Sequence, residues 1–278
     1  MAGARLTRAQ IMVGATISVA EAEPKPTYVL GELFLSADKL KTIGIQMHLF
    51  HEWYMKASAD EIQIGAKVRT IDYFTRQDDY AWIPFKDVFD MYQLDALDVF
   101  MLTAWVQMEI QRAIKNKNNE IAFMDPWQIN TLIVKAQTHS VEDSLVHFLA
   151  QHHFKKWIFL SNYHDFHCVL FIFDMRHSVI LVFDSMDKKA PFFTEINAII
   201  DRAWDRFRQL IRGDFKEKLE RIYKLKVEKQ KMRTNLCGYS VCDYLHNLAP
   251  TEIFHDFRLI GFINEQILDP TGEFYMDD

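Results

Sequence analysis

Cys237 and Gly238 follow a polar, turn-like run, Arg233-Thr234-Asn235. They open a segment whose apolar residues, Val241, Tyr244, Leu245 and Leu248, recur at helical spacing. A thiol in the first turn of a helix sits beside unpaired backbone N–H groups and the positive end of the dipole, so the thiolate is favoured. Gly238 directly behind it permits close approach of another backbone or a ligand. On local sequence alone a second account stays open, a small core residue at a helix start, because free cysteine is commonly just buried. Two further reactive residues lie upstream. His167 begins the strand-like run His-Cys-Val-Leu-Phe-Ile-Phe, and Asp184 with Ser185 ends a second, Val-Ile-Leu-Val-Phe-Asp-Ser. Strands paired as a hairpin lie about 5 Å apart. A carboxylate there can accept from the imidazole and fix its tautomer.

These groups need a sheet and a helix to hold them. Strand patterns cover 156–160, 167–173 and 179–183, with Asp174 to Ser178 as a hairpin loop between the last two, and 222–228 offers one more strand before the cysteine. Upstream, helical spacing runs from Asp38 to Ala57, and Asp87 can cap a short helix before Tyr92. Leu97, Met101, Ala104, Trp105 and Met108 form an apolar stripe, with a polar break at 115–119. Residues 66–74 and 80–85 are expected as short strands around a turn at 76–79. Ser140 and Asp143 signal the start of a helix bearing Leu145 and Leu149, and Thr194 opens another that carries Ile199, Ala203, Phe207 and Leu210 and ends near Gly213. Elements cluster without repeating, which predicts one α+β domain over 28–278 behind a flexible arm over 1–27 that ends Glu-Pro-Lys-Pro-Thr.

The order His167, Asp184, Gln230, Cys237 resembles the ubiquitin-like-protein-specific (SUMO-type) cysteine proteases, whose pattern is a histidine strand, an Asp-Ser strand end and a glutamine ahead of Cys-Gly. Thr234 to Tyr239, read as Thr-Asn-Leu-Cys-Gly-Tyr, is similar to the protease-like domains carried by plant transposons, and a weaker likeness runs through 49–55 and 92–98. The resemblance implies a papain-like fold with a central mixed sheet flanked by helices and the nucleophile at the start of a buried helix. It also implies a thiol protease that needs no cofactor. Cys237 is then the nucleophile, His167 the base, Asp184 its orienting partner, and Gln230 an oxyanion donor beside the Cys237 N–H. The seventeen-residue step to Asp184 fits His167 and not His164, although Asp174 and Asp187 lie near enough to compete with Asp184. Gln230 stands seven residues before Cys237, where many relatives have six, and Lys231 fills the nearer place.

The chain departs from the family at the walls of its substrate tunnel. Cys168 stands where the family has a tryptophan after the histidine, Tyr92 in place of the upstream clamp tryptophan, and Leu236 in place of an aspartate. Tyr92, Cys168 and Gly238 are therefore the residues expected to line the substrate path. The implied partner is a SUMO-type protein or its conjugate, bound by a monomer. The alternative is a domain that keeps the fold but not the catalysis, and binds a protein partner in the same groove.

Composition narrows the classes. The 278 residues carry a net charge of -6 and 49% hydrophobic residues, which argues against a nucleic-acid coat and for a sizeable core. Basic residues over 202–233 interleave with acids and read as a solvated face, with no aromatic alternation for base stacking. Three cysteines are too few for a disulfide framework and fit a reducing compartment, and the family resemblance implies the nucleus or cytoplasm. Neither Cys237 with Cys242 nor His152, His153 and His164 has zinc-site spacing. Apolar runs are strand-sized, so no membrane span is expected, and the basic, small-residue start is read as an arm and not a secretion signal.

Overall fold

The computed structural model describes residues 25–60, 62–68, 80–130, 134, 136–231, 234–248 and 257–276. In chain order the elements are α1 (Ala37–Leu40), α2 (Ile45–Ala57), β1 (Ile64–Lys67), β2 (Tyr80–Ile83), α3 (Phe85–Tyr92), α4 (Val99–Lys115), β3 (Ile121–Met124), α5 (Thr138–His152), β4 (Trp157–His164), β5 (His167–Asp174), β6 (Val179–Phe183), α6 (Thr194–Leu210), β7 (Glu220–Ile222), α7 (Cys237–Leu248) and α8 (Phe257–Phe262). Among the described residues, β3 to β7 form a mixed sheet in sequence order. The two hairpins β4–β5 and β5–β6 are antiparallel, and β3 and β7 join the outer strands parallel. β1 and β2 form a separate antiparallel ribbon.

Helices cover both faces of the sheet, which is why β5 reads as one apolar run and not as an alternation. Its period-2 side chains still divide between two cores. Cys168, Leu170 and Ile172 face a core shared with Phe50, Leu102, Cys237 and Leu245. Val169, Phe171 and Phe173 face a second core with Leu149, Ile199 and Trp204 of α5 and α6. Each fully buried side chain of this size contributes about 1.5–3 kcal/mol. The result is an α+β fold with a central mixed sheet between helices, and the helix that opens on Cys237 lies against β5.

Several boundaries differ from the sequence expectation. The helical pattern from Asp38 to Ala57 breaks after Leu40, because Gly44 takes an extended conformation and restarts the helix at Ile45. Asp87 does not cap α3; Pro84 stands at the cap, and Asp87 is buried in the first turn, where burial pushes its carboxyl up to about 7. β4 extends past the expected 160 to His164, so His164 is a strand end paired opposite His167 and not a loop residue. The extended segment before the cysteine forms sheet bonds only over Glu220–Ile222. Most of the expected strand and turn over 66–79, and the arm up to residue 24, lie outside the described residues.

Candidate active site

The site is at the end of the sheet where β5 begins and β6 ends. β4 and β5 are joined by two residues, Asp165 and Phe166, with φ of 44° and 59°. Two consecutive positive φ values make the primed turn that matches strand twist, and the turn delivers His167 as the first residue of β5. Asp184 directly follows β6. The His167 Nε2–H donates to Asp184 Oδ1 at 2.7 Å, with both residues buried. The carboxylate is itself fixed, since Met186 N donates to Oδ1 at 2.8 Å and Lys188 N to Oδ2 at 2.6 Å. Burial opposes the Asp184 charge, but these donors with the imidazole hold its carboxyl below the usual range.

His167 Nδ1 is buried and makes no other hydrogen bond, so it is the nitrogen left for the Cys237 thiol, with which the ring interacts. Burial works against the imidazolium, yet the carboxylate and the sulfur outweigh it and raise the His167 pKa. Cys237 begins α7 and is only 4% exposed. Its pKa falls to about 4, first through a hydrogen bond from the Cys168 thiol and then through His167, against the cost of burial. The helix N-terminus acts in the same sense. Cys168 takes the opposite shift, well above an ordinary thiol, because it faces that sulfur and is buried. The shifts of His167 and Cys237 act in the same sense: they favour charge on the sulfur and on the imidazole, beside a carboxylate that fixes the ring.

Phe192 meets the His167 ring edge-on, with centroids 5.7 Å apart, and the His164 ring at 5.2 Å. The Lys188 ammonium stands over the Phe192 ring. Sequence patterning missed Phe192, whose Pro-Phe-Phe turn before α6 carries no catalytic signal. His164 and Asp187 stay outside the pair: His164 contacts Asp165, and Asp187 binds the Lys229 ammonium at 2.6 Å.

Gln230 ties the two halves of the site together. Its Oε1 accepts from Ser185 Oγ and its Nε2 donates to the Thr234 carbonyl, both at 2.7 Å. One amide hydrogen is thus committed within the chain and one is left for an oxyanion.

The three residues expected to line the substrate path have other surroundings. Tyr92 is buried among Phe34 and Phe50, and its hydroxyl donates to the Met47 carbonyl, because its place at the end of α3 turns it inward. Cys168 is 1% exposed, since its strand parity points it at α7. A Cβ on Gly238 would stand 2.7 Å from Leu97 Cβ, so what approaches closely there is the Leu97 side chain and not a ligand. The accessible surface near the start of α7 belongs to other residues. A cavity of about 370 Å³ is lined by Lys25, Leu94, Asp95, Asn235, Leu236 and Tyr239. Asp95 accepts from Asn235 Nδ2 at 2.9 Å and pairs with Lys25 at 2.8 Å.

Among the described residues no cluster of His, Cys, Asp and Glu could hold a metal ion, and no helix is long and apolar enough to cross a membrane. Much of the basic stretch is neutralised: Arg202 and Arg206 bind Glu142, and Arg221 binds Asp201.

No family model matches the chain, and no curated protein matches it significantly. Solved structures do. One is the crystal structure of a de-sumoylating protease, with 13% identity over 67% of this chain and 72% of that one, at a TM-score of 0.50. Another is the C-terminal Ulp1 protease domain in complex with Smt3, the yeast ortholog of SUMO, with 13% identity over 78% of this chain and 90% of that one, also at 0.50. At that identity the likeness is one of fold, and the fold is that of the SUMO proteases.

Proposed function

We propose that the chain is a cysteine peptidase or isopeptidase acting on ubiquitin-like, SUMO-type proteins or their conjugates. The observation that carries this is one imidazole with two partners. Nε2 is bonded to Asp184, while Nδ1 is kept for a thiol whose pKa is held near 4. The Cys237 thiolate attacks the carbonyl carbon at the end of the substrate tail. The His167 imidazolium gives its proton to the departing amine, leaving a thioester on sulfur. Neutral His167 then takes a proton from water as that water attacks the thioester, and the carboxylate product and the thiolate are released. The Cys237 backbone N–H and the second Gln230 amide hydrogen would hold the oxyanion, and such a donor is worth about a hundredfold or more in rate. The fold neighbour bound to a SUMO ortholog supports the substrate class.

Residues 28–278 form the peptidase domain in this reading, monomeric, behind an arm over 1–27, in the nucleus or cytoplasm. The run Thr234 to Tyr239 is what supports a likeness to the protease-like domains of plant transposons. A second reading, a partner-binding domain without turnover, draws on the burial of Cys237 and on the Gln230 amide already bonded to Thr234.

The test is labelling with SUMO and with ubiquitin, each ending in a vinyl sulfone. An adduct with one probe, lost in Cys237→Ala and in His167→Ala, is expected. No adduct with either probe, with Cys237 alkylating like an ordinary thiol, would favour the binding domain.

A further inference from the structure

The ladder between β6 and β7 ends at Leu181 opposite Ile222. Asp184 and Gln230 both lie beyond it, so the sheet does not fix the distance from the carboxylate that holds His167 to the chain that leads into Cys237. Residues 184–187 and 229–230 set that distance by bonding to one another. Gln230 N donates to the Ser185 carbonyl at 3.3 Å, and Ser185 Oγ donates to Gln230 Oε1 at 2.7 Å. The Lys229 ammonium donates to the Asp184 carbonyl at 2.7 Å and to Asp187 Oδ1 at 2.6 Å. The Ser185 and Lys229 contacts each span 45 residues of sequence, so neither is a local turn bond.

The two side chains act on different atoms. Lys229 takes the main-chain carbonyl of Asp184 and not its carboxylate, whose oxygens are already held by His167, Met186 N and Lys188 N. It therefore acts on where Asp184 stands. Ser185 is 2% exposed, and its hydroxyl hydrogen goes to Gln230 Oε1. A carboxamide carries an acceptor at one end and donors at the other, and the two ends are nearly equal in shape. With Oε1 held by Ser185 and one Nε2 hydrogen by the Thr234 carbonyl, the donor end is the one left to face a reacting carbonyl. Turned over, the amide would place an oxygen where an oxyanion develops, and a stabilising dipole would become a repelling one.

We propose that Ser185 and Lys229 are positioning residues: they bind the turn that carries Asp184 to the segment that carries Gln230, so that base and oxyanion donor keep one fixed geometry about Cys237. This rests on the peptidase reading and adds to it the groups that orient its polar machinery. Ser185 acts through the Gln230 amide, and Lys229 through the main chain of Asp184.

The test is a mutant cycle on the full chain. Turnover is measured on SUMO and on ubiquitin, each fused through its tail to a fluorogenic amide. Gln230→Ala is expected to lose about a hundredfold in kcat. Ser185→Ala is expected to lose about tenfold in kcat with KM within about twofold of the parent, as for an interaction made in the transition state. In the Gln230→Ala background the same change should cost nothing further, because residues that act as a unit are not additive. Lys229→Met is expected to lose about fivefold in kcat through misplacement of the base, and Lys229→Arg, which keeps the charge and more than one donor, to recover most of it. A purely structural role would instead lower the melting temperature and cost the same factor of activity in both Gln230 backgrounds. That result, or parent-like turnover by Ser185→Ala or by Gln230→Ala, or equal losses in Lys229→Met and Lys229→Arg, would overturn the positioning role and leave the peptidase standing. No turnover of either fusion by the parent would overturn the peptidase, and the positioning role with it.

Discussion

At the scale of single residues, the meeting of His167 with Asp184 and the place of Cys237 at a helix start were legible, because each stands at an element end that patterning locates. The burial of Tyr92 and Cys168 was not legible, since the direction of a side chain at an element end depends on backbone twist that no spacing rule reports. Tyr92 sits two residues from the exposed position, Leu94, and that shift separates a core phenol from a surface side chain. The role of Cys168 was equally hidden. Its thiol supports the thiolate of Cys237, and this makes a prediction about pH. With a pKa near 4, Cys237 is ionised throughout the range above it, whereas a free thiol at about 8.5 is largely protonated at pH 6. Iodoacetamide should therefore alkylate Cys237 at a rate nearly constant from pH 5.5 to about 7. Cys168→Ala should move the midpoint upward and Cys168→Ser, which keeps a donor, should restore it; equal midpoints in all three proteins would remove Cys168 from the site. Peptidase turnover needs the imidazolium as well. Its profile should rise as the thiol ionises and fall as His167, whose pKa is raised, loses its proton above its ordinary value near 6.5.

At the scale of elements, the site depends on how closely α7 lies against the segment that leads into α4. β5, β6 and α6 were read nearly to their ends because their apolar runs are long and bounded by turn residues. β3 was missed, since Ile-Ala-Phe-Met is four residues behind a polar loop and becomes a strand only by pairing with β4. The close approach of α7 to the segment leading into α4 could not be read at all, because it is made by one missing side chain. Gly238→Ala adds a Cβ 2.7 Å from the Cβ of Leu97, a buried residue two positions before α4 whose Cβ is fixed to the backbone and cannot swing aside by rotamer change. Overpacking of this kind costs about 1–3 kcal/mol, against a gain of about 1 kcal/mol in helix propensity. A lower melting temperature is expected, with a larger loss in kcat because the displaced turn carries the nucleophile. Gly261→Ala in α8 is the control: its Cβ would meet Gln46 Cγ at an ordinary 3.6 Å, so the propensity gain should stand alone and stabilise. If both variants melt alike, the approach of α7 to Leu97 is not tight.

At the scale of the molecule, His167, Asp184 and Cys237 straddle the end of the sheet and so depend on both cores. Phe192, against the imidazole, packs with the α5–α6 core, while Cys237 belongs to the core on the other face. Composition announced enough apolar material for such a body, but not that a charged cluster would be buried inside it. Glu109 of α4 is fully buried and binds Arg112 at 2.6 Å and His246 of α7 at 2.9 Å. Arg258 of α8 meets the other nitrogen of His246 at 2.9 Å. Burying those charges is expensive, and the return is geometric, since three helices are held to one another behind the nucleophile. Removing one partner leaves the rest buried without compensation, so Glu109→Ala should cost about 3–5 kcal/mol in chemical denaturation. Lys41→Ala, which breaks an exposed pair with Asp38, should cost under about 1 kcal/mol. If the cluster serves mainly to seat α7, Glu109→Gln, which keeps volume and hydrogen bonding, should recover part of the stability. It should also leave the Cys237 alkylation midpoint where it was. A midpoint that moves with Glu109→Gln would mean that the cluster acts on the thiol through charge and not through the position of the helix.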